Sequence, residues 1–97
     1  MEYRSYIVYI LSNRNNTVLY TGVTWNLKLR EEQHKTKSNP KSFTARYNVD
    51  KLVYYEQFFD IGEAIEREKQ IKAGSRQKKL DLIAGLNSEW RDLYKDL

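Results

Sequence analysis

Six side chains in this sequence have types and spacings suited to chemistry on a charged substrate: Tyr9, Tyr20, Arg30, His34, Glu68 and Asn87. Glu68 stands on a stripe of Ile61, Ala64, Ile65 and Ile71 that follows helical i, i+3, i+4 spacing. A carboxylate in such a core-facing slot is costly unless it is paired, protonated or metal-bound. It either holds a hard divalent cation such as Mg²⁺ or pairs with Arg30 or Lys72. Arg30 and His34 lie four residues apart and so share one helix face. A guanidinium there suits a phosphate, and an imidazole can move a proton near neutral pH. Tyr9 and Tyr20 flank a turn on two successive apolar runs. Cross-strand tyrosines in such positions either point together or serve as core aromatics with a polar tip. Asn87 follows a helical segment, where a polar cap is sufficient reason for it.

The elements that must position these groups are legible in the pattern. Residues 6–11 are unbroken apolar or aromatic, within a strand expected over Tyr3–Ser12 and buried on both faces. Asn13, Asn15 and Asn16 supply turn chemistry, and Thr17–Thr21 reads as the returning strand, ended by Gly22. Asn26 caps a helix from Leu27 to about Lys37 whose weak apolar stripe leaves one face wet. Ser38–Asn48, with the only proline, reads as a loop. Leu52–Phe59 is the third strand. Asp60 and Glu63 form a capping box for a helix that Gly74 closes. Ser75 caps the next helix, with Leu80, Ile83 and Ala84 inward and Gly85 at its end. Trp90, Leu93, Tyr94 and Leu97 fall at helical spacing in a last helical turn or two, with Trp90, Leu93 and Tyr94 closing the core. The order β-β-α-β-α-α predicts an α+β domain over 1–97, built on a three-stranded antiparallel sheet flanked by helices.

Composition narrows the functions open to it. The 97 residues contain no cysteine and one histidine, which excludes disulfides, thiolate chemistry and any site with two His ligands. The longest uncharged run, Asn15–Leu27, is too short and too polar to span a bilayer. Glu2 and Arg4 spoil a secretory signal, so the expected location is the cytoplasm. The net charge of +4 is unevenly spread: residues 28–51 and 66–79 carry +4 each and residues 52–65 carry −3. Lys28, Arg30, Lys35, Lys37 and Arg46 belong to the first basic block, Lys72 and Arg76 to the second. Two such blocks suit a phosphate backbone, and equally suit solubility alone.

In order along the chain, these residues resemble the motifs of the GIY-YIG nuclease superfamily, in particular its small single-domain bacterial members. Ile7-Val8-Tyr9 and Tyr20-Thr21-Gly22 resemble its two naming tripeptides, without the first Gly and with Thr for the second Ile. The run from Leu27 to Lys35 resembles its Arg-x-x-x-His helix, and the run from Glu63 to Lys72 its acidic helix. Asn87-Ser88-Glu89-Trp90-Arg91-Asp92-Leu93 resembles its closing segment, with Ser88 where Pro is usual. The likeness spans residues 3 to 94.

The resemblance implies a metal-dependent endonuclease hydrolysing phosphodiesters in DNA, with RNA also open as substrate. Glu68 would hold a single Mg²⁺ or Mn²⁺. Arg30 would donate to a phosphoryl oxygen as charge develops. Tyr9 or Tyr20 would position or deprotonate the water, which needs a nearby cation to depress a phenol whose ordinary pKa is about 10. His34 would assist proton transfer and Asn87 would orient the site. Lys28, Lys35, Lys37, Arg46, Lys72 and Arg76 would hold the backbone, with little sequence preference. A non-catalytic nucleic-acid-binding module and an adaptor docking through Trp90–Leu97 are the other readings open to such a chain.

Overall fold

The apolar run expected to be buried on both faces becomes the middle strand of the sheet. The computed structural model describes residues 5–97, so Tyr3 and Arg4 of the expected first strand lie outside the described residues. Strand β1 (Tyr6–Ser12) is flanked by β2 (Leu19–Thr24) and β3 (Lys51–Phe58), both antiparallel to it, in the order β2-β1-β3. Between them come helix α1 (Leu27–Thr36) and a short helix α2 (Phe43–Arg46). Helices α3 (Ile61–Ala73) and α4 (Arg76–Leu86) follow β3, and a 3₁₀ turn, Leu93–Asp96, ends the chain.

Alternation along β1 divides the core into two layers. Val8 and Ile10 pack with Val53, Tyr54, Ala64, Ile71 and Ile83, beneath α3 and α4. Tyr9 and Leu11 pack with Leu27, Val49, Leu52 and Leu93, beneath α1 and the C-terminal turn. The β1–β3 register pairs Ile10 with Tyr54 and Leu11 with Leu52, so Val53 is the extra residue of a bulge. Arg67 on α3 grips Glu56 on β3, its Nη2 donating to Oε2 at 2.9 Å, and this clamp holds α3 against the sheet.

Several boundaries differ from the sequence expectation for identifiable reasons. The side-chain oxygen of Asn13 accepts from the backbone N–H of Thr17 (2.8 Å) and Val18 (3.0 Å). Those two donors are lost to the ladder, so β2 begins at Leu19 and runs through Gly22. The expected loop 38–48 contains α2, because the Ser42 hydroxyl caps Ala45 N–H. On α3 only Ala64 and Ile71 are buried, whereas Ile61 and Ile65 are exposed. The buried stripe is therefore narrower than expected, with the half-buried Glu68 between Ala64 and Ile71 at i, i+4, i+7. Helix α4 passes through Gly85; Ile83 is buried and Leu80 half-buried, but Ala84 faces solvent. Trp90 adopts φ 56°, a left-handed conformation that delays the last helical turn to Leu93.

Candidate active site

Antiparallel register decides what residue counting could not. Tyr9 pairs with Gly22 and Leu11 with Tyr20, which puts the two tyrosines diagonally on one face of the sheet. Their ring centroids lie 6.4 Å apart. Helix α1 crosses above them, started by Asn26, whose side chain accepts from Leu29 N–H at 3.1 Å. Leu27 and Glu31 face inward from α1, while Lys28, Leu29, Arg30 and Gln33 face out, as a weakly apolar helix requires.

This geometry brings His34 against both tyrosines, the three rings forming a triangle. Its ring centroid is 6.2 Å from that of Tyr9 and 5.9 Å from that of Tyr20. Nε2 lies 3.5 Å from the Tyr9 hydroxyl and Nδ1 lies 2.8 Å from Thr44 Oγ1. Burial, reinforced by the Arg30 charge, lowers the His34 pKa from its ordinary value, with Asp50 opposing. The Tyr9 phenol moves the other way. Burial raises its pKa, neighbouring Tyr20 adds to this, Arg30 opposes, and the charges of Glu31 and Glu68 raise it further. At this phenol burial outweighs the opposing charge of Arg30.

A cleft of about 250 Å³ opens beside these groups, lined by Tyr20, Arg30, His34, Lys37, Phe43 and Thr44 among others. Glu68 comes from α3, on the other face of the sheet, and its charge reaches Tyr9. Its side chain is 17% exposed and lies 3.5 Å from Lys72 Nζ. Of the two partners the sequence left open, Lys72 is the one that pairs with it. Among the described residues no three His, Asp or Glu side chains cluster as a ready-made metal cage. A lone carboxylate still fits Mg²⁺, which keeps several waters and takes one or two carboxylates together with substrate phosphates.

The remaining predicted residues are distributed elsewhere. Asn87 is buried; its side-chain amide donates to the carbonyls of Val53 (3.1 Å) and Arg91 (2.8 Å), and its oxygen accepts from Arg91 N–H. These bonds tie the end of α4 to β3. Lys35 is half-buried and committed to Asp92 Oδ2 at 2.6 Å and to the Asp50 carbonyl at 3.0 Å. Arg76 donates to the Asn16 carbonyl at 3.3 Å. Lys28, Lys37, Arg46 and Lys72 are exposed. Sequence reasoning passed over Thr44, Ser42 and Phe43 by reading 38–48 as a loop. The signal that could have found them is Ser42, a good cap three residues ahead of Ala45.

The model of the GIY-YIG catalytic domain matches residues 5–81, four-fifths of the chain. The chain belongs to the GIY-YIG family. Two UPF0213 relatives agree with this. One from Staphylococcus haemolyticus is 42% identical over 76 residues, covering 78% of this chain and 90% of the relative. One from Natronomonas pharaonis is 40% identical over 77 residues, covering 79% and 88%. The solution NMR structure of a UPF0213 protein from Bacillus halodurans superposes with a TM-score of 0.58 at 26% identity, covering 94% of this chain and 95% of that one. GIY-YIG membership supports an endonuclease-type function on a nucleic acid substrate, and nucleases of this family generally use a divalent metal ion. The matched GIY-YIG residues include Tyr9, Tyr20, Arg30, His34 and Glu68, and end before Asn87.

Proposed function

We propose that this protein is a metal-dependent endonuclease that hydrolyses phosphodiester bonds in DNA, with its reaction centre at the cleft lined by Tyr20, Arg30 and His34, where His34 meets the buried Tyr9. The observation that carries this reading is the approach of His34 Nε2 to the Tyr9 hydroxyl beside the Arg30 guanidinium. Hydrolysis needs an oriented water, a place for its proton, and donors for charge growing on the phosphoryl oxygens. The Tyr9 phenol, held neutral by burial, orients the water and relays its proton. His34 is kept neutral at pH 7 by the same burial. With its Nδ1–H donating to Thr44 Oγ1, its Nε2 lone pair is directed at Tyr9 and accepts that proton. Tyr20 closes the cluster on the β2 side. Arg30, exposed on the cleft wall, donates to a non-bridging oxygen, a positioned charge of the oxyanion-hole type.

Glu68 is the residue that would hold one Mg²⁺ or Mn²⁺, displacing Lys72 from its carboxylate. Bound there, the ion supplies Lewis-acid polarisation of the phosphate and offsets its charge. Lys28, Lys37, Arg46, Lys72 and Arg76 are the cations for the flanking backbone. Lys35 makes its contribution within the fold, through Asp92. Asn87 acts as a positioning residue, holding α4 and the closing segment to β3.

The test is cleavage of labelled duplex, single-stranded and branched DNA, and of RNA, with Mg²⁺, Mn²⁺ or EDTA. Arg30→Ala and Glu68→Ala are expected to abolish a metal-dependent cleavage seen with the unsubstituted protein. Undiminished cleavage in both variants would remove the site from these residues. Salt-dependent binding without cleavage of any substrate would leave a binding module on the same scaffold.

A further inference from the structure

An aromatic ladder leads from the buried Tyr9 out to the surface. Tyr9 meets Tyr20, whose ring centroid lies 6.2 Å from that of Phe43 at an interplanar angle of 28°. Phe43 in turn lies 4.8 Å from Tyr47. The two outer rings are large and poorly covered, 47% exposed at Phe43 and 48% at Tyr47. The Arg46 guanidinium sits 5.8 Å from the Tyr47 ring centroid. The shelf is set firmly: Ser42 caps α2, and Val49 N–H donates to the Thr44 carbonyl at 2.8 Å, turning the chain back into the core. Phe43 borders the cleft directly, and none of the cleft's lining residues is acidic.

We infer that the Phe43–Tyr47 shelf is a stacking subsite for an unpaired nucleobase next to the scissile phosphate, so that the preferred substrate is single-stranded or locally unpaired DNA. The inference rests on the nuclease reading for its scissile phosphate, although the base-binding step does not. Two half-exposed aromatic rings beside a cationic, carboxylate-free cleft match the two halves of a nucleotide, a base and a phosphate. Stacking of this kind accepts any base, because every base offers a face. Within a duplex both faces of each base are covered by neighbours, so a side chain can stack only on a base that is unpaired, terminal or splayed out. The ladder fixes the direction as well. The base rests on the outer rings, Arg30 and Lys37 line the cleft for the backbone, and the phosphate faces Tyr9 and His34.

The experiment is binding in EDTA, followed by fluorescence anisotropy. The probes are a labelled thymidylate strand of about 15 nucleotides, the same strand with its bases replaced by abasic sites, and a blunt duplex hairpin. The unsubstituted protein is expected to prefer the thymidylate strand over both others by on the order of tenfold. Phe43→Leu and Tyr47→Leu retain apolar bulk but lose the π-face; each is expected to reduce binding toward the abasic level. Binding of the abasic strand and its salt dependence should not change. Thermal melts of both variants establish that they are folded. Equal binding of base-bearing and abasic strands, equal or tighter binding of the duplex, or undiminished preference in folded Phe43→Leu would each overturn the inference. Because no metal is present, absence of cleavage elsewhere would sink the nuclease reading without touching this result. Conversely, cleavage of all forms with no base-dependent binding would sink the subsite and leave the nuclease.

Discussion

The Tyr9 ring occupies the space where a side chain on Gly22 would begin: a Cβ at Gly22 would lie 2.5 Å from both Cζ and the hydroxyl oxygen of Tyr9. The backbone at Gly22 is not left-handed, so the glycine is required for room and not for conformation. Tyr20 closes the other side, 3.1 Å from the same point, and Tyr9 itself is buried. A methyl group therefore drives the phenol off its position under His34. Gly22→Ala is expected to lower the cleavage rate by about a hundredfold, the scale associated with misplacing a reacting group by about 1 Å, while the protein still melts cooperatively. Tyr9→Phe measured alongside separates the two effects. If Gly22→Ala cleaved at the unsubstituted rate, the Tyr9 hydroxyl would not be part of the chemistry.

The proposed proton relay needs the His34 tautomer in which Nδ1–H donates to Thr44. The Thr44 hydroxyl is buried and lies 2.8 Å from His34 Nδ1 and 3.3 Å from Ser42 Oγ, so replacing the residue with the similarly shaped valine removes those two hydrogen bonds and little volume. In Thr44→Val the ring proton is free to move to Nε2, where it faces the Tyr9 hydroxyl and cannot accept from it. The turnover rate should fall by on the order of tenfold, with KM much less affected, since the tautomer governs the proton transfer and leaves the cationic cleft intact. Ring-nitrogen NMR shifts should report a mixture of tautomers in the variant and one tautomer in the parent. A purely structural role for Thr44 would change the melting temperature but not that ratio. Since the His34 pKa lies below its ordinary value, the acidic limb of the parent's rate profile should lie below about pH 6.5. Activity should therefore be flat across neutrality.

The sheet and its helices were readable because each rests on local chemistry: an apolar run, a capping oxygen, a helical spacing. The misreadings came from side chains acting at a distance along the chain. Asn13 took two backbone donors from the start of β2, a competition that strand propensity does not contain. The facing of Tyr9 and Tyr20 waited on a register that only pairing supplies. Glu68 stands out in the sequence because it lies among hydrophobic residues; on α3 it is half-buried between the buried Ala64 and Ile71. The deeper carboxylate is Glu31, four residues after the buried Leu27 on a helix whose polar surroundings concealed which face was inward. Lys35 was counted with the phosphate cations because its charge is visible in the sequence, whereas Asp92, 57 residues away, is not visible as its partner.

Asn87 offers a contrast between holding the fold and taking part in the reaction. Its three hydrogen bonds satisfy the Val53 carbonyl and both backbone groups of Arg91. Asn87→Ala leaves these groups without their partner at a buried position, an effect of about 2–3 kcal/mol. For a domain of this size that corresponds to a fall in melting temperature of roughly 10–20 °C. Cleavage per folded molecule, measured well below the new midpoint, is expected to stay within about threefold of the parent. A loss of a hundredfold in the folded variant would instead make Asn87 a participant in the chemistry.

Glu31 makes the stability of the whole molecule depend on pH in an unusual direction. The residue is 1% exposed and neither carboxylate oxygen has a hydrogen-bond partner. Burial pushes its pKa from 4.5 up to about 8, with Lys35 opposing and Asp92 and Asp50 adding to the rise. Between those two values the folded chain holds a proton that the unfolded chain has released. Folding is therefore favoured by protons, and this group's contribution becomes steadily less favourable as pH rises from about 4.5, levelling off above about 8. Glu31→Met fills the same space without a charge and removes the dependence. The variant should gain on the parent as pH rises from 5 to 9, by on the order of 4 kcal/mol across that range. Melting curves over that range test this directly: parallel pH dependences for the two proteins would mean that Glu31 finds a partner or water in solution and ionises freely.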